Sequence, residues 1–351
     1  MRGIIVPKYA STILLIVLIV SGLASISTIH FGSAQTSTPV NGIITQDTTW
    51  RKTNSPYNLM GNVLVNNGVT LKIEDGVTIN LNKYYMRIND SLIIEPGATI
   101  NMGIIDKAIQ INGVLSAKGT SANPIHINGV LDAHLSDTFY SIIDFSQSST
   151  EWNRQTNLGS IIENVVLSYT TLNVQSGILF GNNTYLSGNL VLSGGSPTVL
   201  NNNITSPFAV IGGSPLILNN KITSGLSLDG TNNLTVVDNV IYGLSISDAY
   251  GYSSMLLERN LISSNAFGVL YNVGSSGSQI IIRNNTITNN AVGLQITNSY
   301  PPIVIENNIY NNSLNVRLAQ QATIDVNLTN NWWGTTNQPT SNQPINLRLK
   351  E

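Results

Sequence analysis

A phrase that occurs twice in the middle of the chain decides the fold: residues 194–206 read GGSPTVLNNNITS and residues 212–224 read GGSPLILNNKITS. The two copies agree at nearly every position and begin 18 residues apart, which is the scale of one coil in a solenoid of stacked repeats. Each copy has a short apolar strand, an Asn-Asn corner and a second strand that starts at Ile204 or Ile222. Strands this short favour pairing in parallel with the equivalent strand of the next coil.

The same step from a polar corner into an apolar strand recurs toward the C-terminus, at intervals of roughly 18–25 residues. It is present at Asp238–Ile241, Arg259–Ile262, Asn284–Ile287, Asn307–Ile309 and Asn330–Trp332. Asparagine suits such corners because it tolerates the left-handed backbone conformation and hydrogen-bonds to its own backbone. Asparagines at equivalent corners are expected to stack into hydrogen-bonded ladders, as side-chain amides do in other stacked strands.

The N-terminal half is less regular but has alternating strands that end at glycine turns, as in residues 61–81, 93–100 and 109–127. We predict an all-β protein with one right-handed parallel β-helix over residues 41–351. Residues 131–159 break the pattern and are interpreted as an irregular insert, and residues 330–351 as a C-terminal cap. A leucine-rich-repeat horseshoe is the alternative solenoid, but the fixed leucine spacing it needs is not found.

The composition excludes several classes of function. Only 10% of the residues are charged and the formal net charge is −2, so there is no basic surface field for nucleic acid. The absence of cysteine excludes disulfides, thiolate nucleophiles and cysteine-ligated metals. Three histidines are too few to predict a copper or zinc site.

The first 34 residues have the layout of an export signal. Arg2 and Lys8 precede the apolar run Ile13–Val20, and the small residues 32–34 resemble a cleavage site before Gln35. Two interpretations stay open, a cleaved signal peptide or an uncleaved N-terminal anchor helix. Either one predicts an extracellular or cell-surface protein that meets the membrane only through this segment, and only if it is uncleaved.

Several phrases together resemble the right-handed parallel β-helix repeat proteins that many archaea and some bacteria export. The residues that carry this resemblance are 47–50 (DTTW), 55–57, 61–63, 68–79, 117–120 (AKGT), 123–125, 159–164, the two GGSP phrases and 330–335 (NNWWGT). The resemblance implies the β-helix fold and membership of the pectate-lyase-like superfamily. It does not imply one activity, because that superfamily includes lyases, hydrolases, epimerases and non-catalytic surface proteins.

The search for catalytic residues gives one local cluster, formed by Asp132, His134, Asp137 and Asp144 in the irregular stretch. A hydrolase of this superfamily needs two or three neighbouring carboxylates, and these are widely spaced along the chain. A surface loop is the other interpretation of the cluster.

A lyase of this superfamily would hold calcium with clustered carboxylates and use Arg or Lys as a base. Asp238 and Glu258 lie about one coil apart, and Arg259 and Arg283 are expected near them on adjacent coils. A solvated ladder of charges at a corner is the alternative, and we therefore predict no metal, with calcium the one ion left open.

Two further features bear on binding. Trp332 and Trp333 are either a platform for stacking sugar rings or a cap over the last apolar coil. Asn-x-Ser/Thr sequons, which are glycosylated in some exported proteins and also arise by chance in a chain rich in Asn and Thr, occur at Asn89, Asn182, Asn203, Asn233, Asn284, Asn311 and Asn327.

From these observations we expect a non-catalytic exported β-helix that binds polysaccharide or another envelope component. A polysaccharide lyase, hydrolase or epimerase and a purely structural envelope protein are the alternatives. Release of sugar products would favour the enzyme, and self-assembly or tight wall association would favour the structural role.

Overall fold

The computed structural model describes residues 36–103, 105–132, 139–185, 187–248, 252–274, 277–297, 300–318 and 326–334. These residues form a right-handed parallel β-helix with one strand of a twelve-stranded sheet in each coil. The predicted fold class is therefore confirmed. The only helix among the described residues is the short 3-10 turn Lys52–Asn54.

Each coil has three short strands, which stack on those of neighbouring coils into three faces. The first face is the twelve-stranded sheet, with strands Thr48–Trp50, Thr70–Ile73, Ser91–Ile94, Val114–Lys118, Ile161–Glu163, Leu179–Gly181, Thr198–Leu200, Leu216–Leu218, Leu234–Val237, Ser254–Glu258, Gln279–Arg283 and Ile303–Ile305. The second face has strands Thr78–Asn80, Thr99–Asn101, Ile125–Asn128, Val165–Ser168, Thr184–Tyr185, Asn203–Ile204, Lys221–Ile222, Val240–Ile241, Leu261–Ser263, Thr286–Thr288 and Asn308–Tyr310.

The third face lies around the next corner of each coil. It has strands Met86–Ile88, Lys107–Ile111, Phe139–Phe145, Thr170–Val174, Leu190–Leu192, Phe208–Val210, Leu226–Asp229, Leu244–Asp248, Phe267–Val273, Val292–Ile296 and Leu314–Leu318. At the N-terminal end, the longer strands Thr38–Ile44 and Tyr57–Val65 span the second and third faces, and the two faces therefore belong to one sheet. The short strand Leu131–Asp132 pairs antiparallel with Phe139–Phe145, whereas the strands of the three faces pair in parallel.

The core is a column of aliphatic side chains inside the coils. Alternate residues of a strand point inward, so Ile217, Ile222 and Leu228 of one coil are fully buried while their neighbours along the strand face outward. The equivalent residues of the next coil, Val236 and Ile241, are buried in the same register. Stacking like residues in this way buries a continuous apolar column.

The two residues of each Asn-Asn corner have different structural roles. The first residue of each corner has a positive φ, which is 58° at Asn201 and 55° at Asn219, and Asp238, Arg259 and Glu306 adopt the same conformation at later corners. The second residue is turned into the coil and is buried, except at Asn331, which is half-buried. The buried asparagine ladder defined by these second residues consists of Asn183, Asn202, Asn220, Asn239, Asn260, Asn285, Asn307 and Asn331. The predicted stacking of corner asparagines is confirmed.

The irregular insert predicted over residues 131–159 differs from the structure in one segment. Phe139–Phe145 is a regular strand of the third face and pairs on both sides, with Lys107–Ile111 and Thr170–Val174. Ile143 and Phe145 point into the core and are fully buried, while Asp144 between them faces the neighbouring coils on the outer side. The loop that follows leaves the coil and returns through a bridge between Asn153 and Leu158.

Several predicted features lie outside the described residues. They are the export segment 1–34, His134, Asp137, the side chain of Asp132 and the part of the cap that follows Gly334. Within the described ranges, no helix is long and apolar enough to cross a membrane.

Candidate functional site

The outward positions of the third face form a column of side chains, one from each coil. Register pairing places Gln110 beside Arg87, Asp144 beside Gln110, and Asn173 beside Asp144. Successive members of the column are separated by about 4.8 Å, the spacing of neighbouring strands. We call Arg87, Lys107, Gln110, Asp144 and Asn173 the polar ladder.

Hydrogen bonds between coils hold the polar ladder in one arrangement. Arg87 Nε donates to Gln110 Oε1 at 2.9 Å. Lys107 Nζ donates to Asp144 Oδ2 at 2.8 Å, and Asn173 Nδ2 donates to Asp144 Oδ1 at 2.6 Å. The Arg87 guanidinium also lies over the Tyr85 ring, 5.6 Å from its centroid. The ladder therefore presents fixed donors, acceptors and one aromatic ring along the face.

Asp144 is the one predicted catalytic candidate whose side chain the structure describes. It is mostly buried, and both of its carboxylate oxygens already accept hydrogen bonds from Lys107 and Asn173. The hydrogen bond and the charge of Asp144 raise the pKa of Lys107 above its ordinary value, so the lysine is a cation at neutral pH. This carboxylate is thus positioned by two donors, which suits recognition and coil packing.

The predicted neighbours at the corner after the first face do come together. Arg259 donates from Nε to Asp238 Oδ1 at 2.8 Å and from a terminal nitrogen to Oδ2 at 2.9 Å. Its other terminal nitrogen lies 3.2 Å from Glu258, and Arg283 Nε lies 3.1 Å from the same carboxylate without hydrogen-bond geometry. The four residues form a chain of alternating charges. Across the described ranges, no group of three or more His, Asp or Glu side chains is arranged to hold a metal ion.

This ion-pair chain predicts a pH effect. The hydrogen bond from Arg259 lowers the pKa of Asp238, so the pair stabilises the fold above the unfolded-state pKa and the contribution is lost as the pH falls through the lower folded-state pKa. We expect the Asp238 carboxyl signal in NMR to titrate below pH 3.8, the ordinary value. Arg259→Asn keeps a residue suited to the left-handed corner and should raise the midpoint, because it removes the hydrogen bond and the charge that lower the pKa of Asp238. An unchanged midpoint would contradict the assignment.

The two tryptophans near the C-terminal end have different surroundings. Trp333 is 8% exposed and packs against the end of the core. Trp332 is 52% exposed and contacts Tyr310 edge to face, with 5.1 Å between ring centroids. The backbone of Trp332 bonds to Asn307 and Ile309 and so continues the coil. Trp333 is thus a core residue and Trp332 has a ring that is open to solvent, and the cap and the sugar platform both stay predictions.

The sequon asparagines lie on corners and outward strand positions. The exposed ones are Asn182, Asn203, Asn233, Asn284, Asn311 and Asn327, while Asn89 is half-buried. The amide of Asn182 donates to Glu163 at 2.9 Å and accepts from Asn201 at 3.2 Å. A glycan on Asn182 would therefore interrupt a corner contact, whereas Asn203 presents an open side chain.

Sequence reasoning missed most of the polar ladder. Arg87 and Gln110 are 23 residues apart and Lys107 and Asp144 are 37 apart, so no local motif joins them. The alternation of outward polar and inward apolar residues around Arg87 was the available signal. This alternation predicts that the Arg87 side chain points outward. It does not predict which residues of the neighbouring coils lie beside it, because the coil length changes along this part of the chain.

No protein-family model matches this chain, and no match is found among the curated proteins or the solved structures.

Proposed function

We propose that the protein is an exported, non-catalytic β-helix whose third face binds carbohydrate of the cell envelope through the polar ladder. The observation that carries this proposal is the row of positioned side chains, Arg87, Gln110, Asp144 and Asn173, each about one strand spacing from the next. Polar groups that are already ordered lose little conformational entropy when a ligand binds. Linear polysaccharides repeat hydroxyl groups along their length, and a row of planar amide and guanidinium groups matches that repetition.

Two features favour a sugar over the other ligands considered. The Tyr85 ring lies beside Arg87 and offers a flat apolar surface with a polar edge, which suits the C–H face of a pyranose. The low charge of the chain is consistent with an uncharged or sparsely charged polymer. The export segment predicted at residues 1–34 supports a location where envelope polysaccharide is present.

The test is a polysaccharide screen with the purified protein that reads both retention and product release, with and without calcium. Arg87→Ala/Gln110→Ala should weaken retention at least about tenfold, because a hydrogen bond to a charged group contributes about 1.5–3 kcal/mol. The matched control is Lys72→Ala/Glu95→Ala, which removes an exposed pair of 2.9 Å on the first face and should leave retention unchanged.

Other outcomes of the screen contradict the proposal. Equal retention by the two double variants would show that the ladder is not the binding site. Release of unsaturated products or new reducing ends would make the protein an enzyme of the lyase or hydrolase type. Thermal unfolding of each variant must match the parent, so that a lost signal is not lost folding.

A further inference from the structure

The corner between the second and third faces changes length abruptly in the C-terminal half of the β-helix. The length of this corner is counted from the inward isoleucine of the second face to the first inward residue of the third face. It is four residues at Ile222–Leu226 and three residues at Ile241–Leu244. In the next coil the equivalent advance is seven residues, Ile262–Val269. Because both ends of the corner stay in register, the extra residues must project outward over the narrower coils.

Glycine makes the narrow corners shallow. Gly225 and Gly243 have φ values of 89° and 85°, which favour glycine over any other residue. At Gly225 the only neighbours of an added Cβ would be backbone oxygens at 3.8 Å. At Gly243 an added Cβ would lie 1.7 Å from Asn265 Nδ2, because the wide corner folds over this glycine and Asn265 donates to Tyr242 O at 3.1 Å.

A cavity of about 310 Å³ results beneath the wide corner, at the lower end of the range for small-ligand sites. We call it the corner notch. Its floor is Gly225 and Gly243, its wall is the half-buried Phe267, and the hydroxyls of Ser227 and Ser245 face it from adjacent coils. These two hydroxyls make no hydrogen bond to another described residue, and no charged side chain lines the notch.

We infer that the corner notch binds one uncharged sugar ring. Phe267 supplies a flat apolar surface for the C–H face of the ring. Ser227 and Ser245, about 4.8 Å apart as register partners, supply two hydroxyls that pair with adjacent sugar hydroxyls. A carboxylated or phosphorylated sugar is disfavoured, because burying its charge without a cationic partner is costly.

This site goes beyond the polar ladder proposed above. Asn173, the member of the ladder nearest the notch, and Ser227 are three strand steps apart along the third face, roughly 14 Å at the usual spacing. A single sugar ring in the notch therefore does not reach the ladder. The two sites can be removed separately, and either can fail without the other.

The experiment is a titration of the purified protein with neutral methyl glycosides (glucoside, galactoside and mannoside), followed by amide chemical shifts. We expect shifts at Gly225, Ser227, Gly243 and Ser245 for at least one glycoside, with Kd on the order of 1 mM. Ser227→Ala/Ser245→Ala should weaken binding at least tenfold. The control Ser91→Ala/Ser116→Ala removes two half-buried serine hydroxyls from the first face and should leave it unchanged.

Three results would overturn the inference. One is the absence of shifts at the notch residues for all three glycosides. Another is equal affinity of the two serine double variants. The last is tighter binding of glucuronate than of the methyl glucoside, which would contradict the uncharged class. Arg87→Ala/Gln110→Ala should leave the notch titration unchanged, so a failure of the polar ladder is recognised separately.

Discussion

Replacing Asn239 by alanine is expected to lower the free energy of unfolding by about 3–5 kcal/mol, because it leaves several buried polar groups without partners at about 1–3 kcal/mol each. Asn239 is 1% exposed and lies in the middle of the buried asparagine ladder. Its carboxamide nitrogen donates to Ile217 O and Val237 O at 2.9 and 2.8 Å. Its carboxamide oxygen accepts from the backbone and side-chain nitrogens of Asn220.

The loss arises from both neighbouring coils. Without Asn239 the buried backbone N–H of Asn220 loses its acceptor, although the Asn220 amide keeps Val199 O and Leu218 O as acceptors. The carbonyl oxygen of Ile217 also loses its donor from the Asn239 side chain. On the other side, Asn260 Oδ1 loses its donor from the Asn239 side chain. Water cannot replace these bonds at full strength, since the neighbouring asparagines are also almost fully buried.

Denaturant unfolding measures the effect, and Asn203→Ala is the matched control. Asn203 lies two coils earlier, is exposed, and faces outward on the second face. The same chemical change there is expected to alter stability by no more than about 0.5 kcal/mol. If the two variants lost similar stability, the ladder would contribute little and aliphatic stacking would account for the cohesion between coils.

The asparagine ladder also shows how far the sequence predicts this fold. The repeated phrase with its Asn-Asn corner indicates a coil of about 18 residues and asparagines stacked at the corners. It does not indicate that the first residue of the pair takes the left-handed conformation while the second turns inward. The second residue turns inward because its side chain donates to backbone carbonyl groups of the preceding coil. Arg259 and Glu306 occupy the left-handed position without being asparagine, because the conformation is imposed by the register of the stack.

The candidate sites were less predictable for a physical reason. Side chains that meet on a face come from different coils, and a change in coil length shifts every later partner. Lys107 and Asp144 lie on neighbouring coils although they are 37 residues apart in the sequence, and the corner notch exists only because the corner lengthens before Phe267. These changes in coil length cannot be recognised in the sequence until the strands on both sides of the longer segment are placed in register.

Replacing Trp333 by alanine is the second change with a large expected effect. Trp333 is 8% exposed and belongs to the continuous core, and truncating a buried tryptophan costs about 3–5 kcal/mol. In a solenoid each coil contacts only its neighbours, so the loss should begin at the C-terminal end. We expect faster hydrogen exchange in Ile303–Ile305 and Asn308–Tyr310, and a lower midpoint of denaturant unfolding.

A variant of the adjacent Trp332 distinguishes the two roles considered for this pair of tryptophans, a cap over the core and a platform for sugar rings. Trp332→Ala removes a half-exposed ring whose aromatic contact is with Tyr310, and an aromatic pair of this kind contributes about 0.5–1.5 kcal/mol. A large loss of stability for Trp333→Ala with a small loss for Trp332→Ala would establish the cap. The opposite result would be full stability of Trp333→Ala together with loss of polysaccharide retention in Trp332→Ala. The pair would then be a binding platform and not a cap, because removing a ring that covers the core must expose apolar side chains to water.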